Sequence, residues 1–253
     1  RLTVPATALA ALVATSAAAA PVFFIEPSGG QGGPDLFSPP NPDLDLPFRN
    51  SFPGGVFEEG FEGFATGPNV SGFQAGPITV DITLENEAGA SDAVATVLGG
   101  SFPDGLSSSQ GGRSILNVGR NYSVRDARPF MIFDFSAPVY GFGAWILDDN
   151  FDSTFTLRVT DIDGNETTSP LLDHGPPAVV EGFMGVSSTI GLTSVVIEDR
   201  DSDGEIFPQD FFWVDTVQVA TTAPVSMPAV PLPAGLPLMV AGVGALALLR
   251  RRG

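Results

Sequence analysis

The chain has 253 residues with no cysteine, and its 29 acidic residues outnumber 11 basic ones, all of them arginine. This excludes disulfides, thiolate metal centres and cysteine nucleophiles. So negative a chain repels nucleic acid and anionic lipid and attracts divalent cations, so no nucleic-acid partner is expected.

Arg1 leads into an apolar stretch, 4–13, followed by Thr15, Ser16 and the alanines 17–20. An apolar core followed by small residues is the pattern that signal peptidase cuts, so 1–20 is expected to be a signal peptide, cleaved one or two alanines before Pro21. Residues 21–55 read as a Pro/Gly-rich linker. Eight prolines lie between Pro21 and Pro53, with Gly29, Gly30, Gly32 and Gly33 among them, and no apolar period persists. The expectation is a disordered segment without ordered secondary structure. Phe23, Phe24, Phe37, Phe48 and Phe52 carry the alternative, that the segment docks on the neighbouring domain or a partner.

Residues 56–220 are long enough for one domain with a sizeable core. Ile78, Val80, Ile82 and Leu84 alternate with Thr79, Asp81 and Thr83, the period-two signature of a half-buried strand. Segments 130–135, 139–147, 155–160, 180–186, 194–198 and 212–219 behave alike, each bounded by Gly, Pro, Asp or Asn, and 93–98 and 114–118 follow more weakly. No segment shows an amphipathic helical face. Many short strands at regular spacing predict an all-β domain, a jelly-roll-like β-sandwich, with Phe142, Trp145, Phe155, Leu157, Val196, Phe212 and Val214 buried.

Three acidic groups punctuate these strands. Asp148, Asp149, Asn150, Phe151 and Asp152 form the first, which reads as a solvated loop or a second ion site. The next, Asp161, Ile162, Asp163, Gly164 and Asn165, carries the Asp-Gly step of a tight hairpin, although Asp161 and Asp163 are also able to ligate a cation. The third carries the strongest chemical signal: Asp199, Asp201 and Asp203 alternate ahead of Gly204, followed by Glu205, Ile206 and Asp210. Carboxylates at alternate positions converge when a loop curls, and a glycine at the sixth position permits the turn, as in the loop pattern D-x-[DN]-x-[DN]-G-x₅-E. The expected ligand set for a structural Ca²⁺ is therefore Asp199, Asp201, Asp203, the Glu205 carbonyl and Asp210, the last replacing the usual Glu. Strand-like flanks make this an EF-like loop in a β domain.

Catalytic patterns are weak. His174 is the single histidine and sits in a turn-like Asp-His-Gly-Pro-Pro context; no G-x-S-x-G elbow, phosphate loop or two-histidine motif occurs. Glu58, Glu59 and Glu62 supply carboxylates for a glycosidase pair, but acidic residues abound. Catalytic residues are expected to be none. A sugar site needs aromatic platforms, and only Trp145, Trp213, Tyr122 and Tyr140 are offered besides phenylalanine. Exposure of either tryptophan would favour a carbohydrate-binding or carbohydrate-degrading module; burial favours a non-enzymatic surface protein.

After a second linker, 221–229, come Val230, Pro231, Leu232, Pro233, Ala234 and Gly235, then an apolar run, 236–249, and Arg250, Arg251 and Arg252. An apolar stretch capped by arginines is a stop-transfer arrangement with its cationic end in the cytoplasm, although fourteen residues fall short of the ~20 of a comfortable span. This tail, 230–253, resembles the C-terminal sorting signals of the PEP-CTERM class, in the variant with a Val-Pro-Leu-Pro-Ala box. Short blocks of the domain are similar to β-sandwich domains of that class: 61–64 (Phe-Glu-Gly-Phe), 140–145 (Tyr-Gly-Phe-Gly-Ala-Trp), 183–188 (Phe-Met-Gly-Val-Ser-Ser) and 212–215 (Phe-Trp-Val-Asp). The resemblance implies cleavage by an exosortase-type membrane protease, a transient inner-membrane anchor through a short hydrophobic helix, and delivery to the cell surface or an extracellular polysaccharide matrix. Without Arg1 and the tail arginines, 7 basic residues face 29 acidic ones, a net charge of −22 for the processed chain.

Overall fold

The structure, a computed structural model, describes residues 20–27, 43–64, 67–85, 91–92, 95–99, 113–116, 130–148, 153–172, 180–201 and 212–225. Among these residues thirteen strands and one short helix follow in chain order. They are β1 (Val22–Pro27), α1 (Leu46–Arg49), β2 (Phe57–Glu59), β3 (Gly67–Val70), β4 (Gly72–Ala75), β5 (Ile78–Glu85), β6 (Ser91–Asp92), β7 (Ala95–Gly99), β8 (Arg113–Leu116), β9 (Phe130–Asp148), β10 (Ser153–Asp161), β11 (Glu166–Thr168), β12 (Val180–Asp201) and β13 (Trp213–Ala220). All pairings are antiparallel.

Two long strands organise the molecule. β9 and β12 pair from Phe130↔Glu198 to Val180↔Asp148, with the register shifting between Ser187 and Ser194. On one side of that irregularity, 130–135 of β9 and 192–201 of β12 lie between β5 and β10, forming a first layer that β4 and β11 extend. On the other side, 141–147 of β9 and 180–187 of β12 lie between β13 and β1, forming a second layer that continues through β8, β7 and β3. The expected pairs of strands at 130–135 and 139–147, and at 180–186 and 194–198, are thus each one strand that turns a corner.

The corner folds one layer over the other. Phe133 and Phe142 would stand ~30 Å apart along a straight strand, yet their ring centroids are 4.8 Å apart. At the opposite end Phe155 of β10 meets Phe212, which precedes β13, at 5.2 Å. The layers therefore face each other from the bend to the far end. Pro138 lacks a ladder donor and so belongs at such an irregularity. Gly191 lies against it, where a Cβ would stand 2.5 Å from the Pro138 Cβ.

This is the all-β, jelly-roll-like sandwich that the alternation predicted. Its interior takes one face of every central strand: Val80, Ile82 and Leu84 of β5, Met131, Phe133, Phe142 and Ile146 of β9, Leu157 and Val159 of β10, Val195 and Ile197 of β12, and Val214, Val217 and Val219 of β13. All seven residues predicted to be buried are so. Two of them lie outside the space between the layers, because Trp145 belongs to a second cluster and Val196 faces outward beside Arg158 across the β10/β12 pair.

That second cluster corrects the linker reading. Residues 22–27 form β1, which pairs with Phe183 and its neighbours on β12, and 46–49 form a helical turn with Pro47 in its first turn. Phe48 and Phe52 are buried with Trp145, Phe183 and Ala220 on the outer face of the second layer. Phe23 and Ile25 of β1 pack on the main core, and Phe24 packs on the second cluster. The physical reason is apolar area. Each buried phenylalanine contributes about 1.5–3 kcal/mol, which offsets the ~1–2 kcal/mol of ordering a residue. Composition emphasised the prolines, whereas aromatic content governed these stretches. Phe37 lies outside the described residues, as do the C-terminal box and the apolar tail.

Candidate functional site

The two flanking acidic groups leave from one end of the sandwich. β12 continues past Glu198 to Asp201, with Asp199 opposite Phe155 and Asp201 opposite Ser153. Asp199 is fully buried. The first carboxylates of the proposed calcium loop therefore sit in extended strand, and Asp203, Glu205 and Asp210 lie outside the described residues. Segment 202–211 connects that strand end in the first layer with Phe212 at the edge of the second. Segment 149–152 makes the reverse passage, from Asp148 of β9 to Ser153 of β10. The described ends of both segments, Asp148 and Ser153 for one and Asp201 and Phe212 for the other, thus lie at the same, far end of the sandwich. Among the described residues no three His, Cys, Asp or Glu side chains are grouped to hold a metal.

At the bend end the hairpin between β10 and β11 is built as the Asp-Gly step predicted. Gly164 adopts φ +81°. The Asp161 carboxylate accepts hydrogen bonds from the amides of Asp163 at 2.8 Å and Asn165 at 2.9 Å, and from the Asn165 side chain at 2.9 Å. These donors, the Asn165 side chain first, hold its carboxyl below the usual carboxylate range.

The outer face of the first layer holds an ion cluster that sequence reading missed. Glu198 is buried, 2.6 Å from the Arg158 Nε on one side and 2.6 Å from an Arg200 terminal nitrogen on the other, and it accepts from the Thr156 hydroxyl at 3.2 Å. Glu166 adds an exposed partner to Arg158 at 3.3 Å. Burial pushes the Glu198 carboxyl upward, but the hydrogen bonds and charges of Arg158 and Arg200 outweigh it, so the group titrates below its ordinary range. The clue in the sequence was the outward parity of Arg158, Glu198 and Arg200 within otherwise apolar alternating strands.

The outer face of the second layer is covered instead by residues 43–56, a strap carrying α1. Its floor contains Gly141, Gly143 and Gly185, where a side chain has no room. A Cβ on Gly141 would stand 2.2 Å from the Phe52 ring, and one on Gly143 would stand 2.5 Å from Phe183 and 3.1 Å from Phe48. Phe48 meets Phe24, Phe52 and Phe183 at centroid distances of 5.6, 5.1 and 5.5 Å. Polar groups tie the strap down: the buried Gln218 amide donates to Asp45, Asp45 pairs with Arg49 at 3.2 Å, and Arg49 pairs with Glu58. A bulge in β13 between Asp215 and Gln218 turns both of these residues toward this face. Thr216 within it is held at φ +41° while Asp215 accepts from its amide at 2.7 Å.

These contacts give the sequence candidates structural work. Glu58 pairs with Arg49, and Glu59 accepts from the Phe61 amide at 2.7 Å. Trp145 and Trp213 are 0% and 2% exposed. Tyr140 is half-buried against the second cluster. His174 and Tyr122 lie outside the described residues. No helix among the described residues is long and apolar enough to cross a membrane.

No protein-family model matches the chain, and no curated protein matches it. Among solved structures it is similar to the K2 cleaved adhesin domain of Lys-gingipain, at 14% identity and TM-score 0.38 over 66% of this chain and 99% of that one. It is also similar to a mutant family 29 carbohydrate-binding module, at 11% identity and TM-score 0.29 over 61% of this chain and 99% of that one. A third similarity is to CBM51-2 with INT domains from Clostridium perfringens ZmpB, at 12% identity and TM-score 0.28 over 64% of this chain and 31% of that one. At such identities and scores these likenesses say nothing of what this chain binds.

Proposed function

We propose that this chain is an exported, non-enzymatic β-sandwich of the cell surface or an extracellular matrix, delivered through a signal peptide and a C-terminal exosortase-type sorting signal. The observation that carries the choice over a carbohydrate module is the burial of both tryptophans. Trp145 is edge-on to Phe183 at 5.9 Å beneath the strap, so its area is spent on packing. The arginine-capped apolar tail and the small-residue motif before Pro21 support export. A glycan-array screen tests the choice. It must use residues 20–225, since β1 and the strap belong to the folded body, and the expected result is no retained glycan. A sugar held with micromolar affinity would overturn it.

Calcium belongs to the same proposal. Support comes from the alternating carboxylates Asp199, Asp201 and Asp203 ahead of Gly204, and from the position of Asp199 at the head of a segment that joins the two layers. Bound there, Ca²⁺ would offset repulsion within the loop and stabilise the far end by mass action. Millimolar calcium is expected to raise the melting temperature relative to chelator, and Asp203→Ala to remove the difference. Identical melting in both media sinks the calcium reading.

A further inference from the structure

The chain enters and leaves the sandwich at the same end. Val22 of β1 pairs with Ser187 of β12, Ser187 pairs with Gly141 of β9, and Gly141 pairs with Ala220 of β13. These four residues form one row across the second layer, next to the bend. Three interstrand steps separate its two ends, ~14 Å at the usual spacing. The row opposite, at Asp148 and Val180, lies at the end from which segments 149–152 and 202–211 depart. The six residue steps from Gly141 to Leu147 span ~20 Å of the layer.

Exposed apolar side chains gather at the same place. Val22 is 55% exposed, Phe57 42%, Ile162 53% and Val225 61%, four of the six large exposed hydrophobic residues among those described. Val22 begins the row, and Phe57 pairs with Val219 one position before Ala220. The Ile162 amide donates to the Gly191 carbonyl in the bend at 2.9 Å. Val225 donates to Ser51 at 3.0 Å, and the next residue, Phe52, covers Gly141 in the row. From Val225 eleven residues lead to the first residue of the apolar tail, Leu236, a reach of no more than ~40 Å.

We propose that the bend end is the surface this domain presents to a lipid bilayer while the apolar tail is inserted, so that the end at which Asp148 and Val180 pair points away. This rests on the reading of 236–249 as a membrane segment. The attachment points and the apolar fringe share one end, so the short connection to Leu236 and the burial of Val22, Phe57, Ile162 and Val225 in the headgroup region favour this orientation, and they must outweigh the repulsion of Asp161 and Asp163 by anionic headgroups.

The absence of native cysteine makes the test direct. Single labels are placed on the full chain by Asp163→Cys, in the exposed hairpin turn at the bend end, and by Leu171→Cys, beside Leu172, which bridges to Phe155 at the far end. The chain is inserted into phosphatidylethanolamine/phosphatidylglycerol vesicles containing a nickel-chelating lipid as a headgroup quencher. The expected result is severalfold stronger quenching at position 163 than at 171, in protein that floats with the vesicles. Equal or reversed quenching in floating protein overturns the orientation and leaves the anchor reading intact. Protein that does not float overturns the anchor reading and the orientation with it.

Discussion

The two outer faces of the sandwich are completed by opposite means. On the first layer the cover is local: Arg158, on the neighbouring strand, and Arg200, two residues along the same strand, pair with Glu198 on a face where Thr156 and Val196 are also buried. On the second layer the cover comes from far along the chain, as Phe48 and Phe52 descend on glycines some ninety to one hundred and forty positions later. A face with alternating charged residues finishes itself by cross-strand pairing. A face with glycines at those positions leaves slots that only large side chains from elsewhere can fill, and it makes the strap part of the fold.

The sharpest way to break this comparison is to empty a slot. Phe48→Ala removes a fully buried ring that touches three others, so it should cost about 3–5 kcal/mol in chemical denaturation. Limited proteolysis should then cut within 43–56 before it cuts the layers. If Phe48→Ala unfolds within a few tenths of a kcal/mol of the parent, the strap is an ornament and the two faces are not equivalent in need.

The local cover should be weaker. Glu198→Gln keeps the shape but removes the charge from two charge-assisted hydrogen bonds, and the expected loss is about 1.5–3 kcal/mol. Its pH dependence follows from the direction of the shift. The folded carboxyl titrates below its ordinary 4.5, so its stabilisation is complete above that value and is lost as pH falls through the folded pKa. Parent and Glu198→Gln stabilities should converge in that acid window and differ at pH 7. A constant difference at every pH would mean that packing, not ionisation, holds this face.

The same contrast explains what the sequence disclosed. Alternation made β5, β10 and β13 legible because each buries one face against the other layer, and it placed Phe155, Leu157 and Val214 correctly. It divided β9 and β12 in two because a bend interrupts parity without ending a strand: Pro138 and Gly191 read as breakers, although pairing resumes beyond them. The strap escaped because its partners are distant and its own signal is four helical residues among prolines. β1 escaped for a related reason, since Phe23, Phe24 and Ile25 pack on two different clusters and show no single apolar face. Of the candidate calcium ligands, local spacing could nominate Asp199 but could not foretell that it is buried on a strand opposite Phe155.

The smallest effect is expected at the hairpin, where a carboxylate is spent on a turn rather than on a face. Asp161 accepts from two backbone amides and from Asn165, so its lone pairs are engaged by the turn that Gly164 permits. The group is exposed, and solvent screens it, so Asp161→Ala should leave the melting temperature nearly unchanged while speeding amide exchange at Asp163 and Asn165. Its carboxyl titrates below 3.8 in the folded chain; the small stabilisation it gives is present above that pH and disappears as pH falls through the folded value. Because the donors already occupy the carboxylate, millimolar calcium should not move the Asp161 resonances. A calcium-dependent shift there, with exchange at Asn165 unchanged by Asp161→Ala, would make the hairpin an ion site and reverse the assignment.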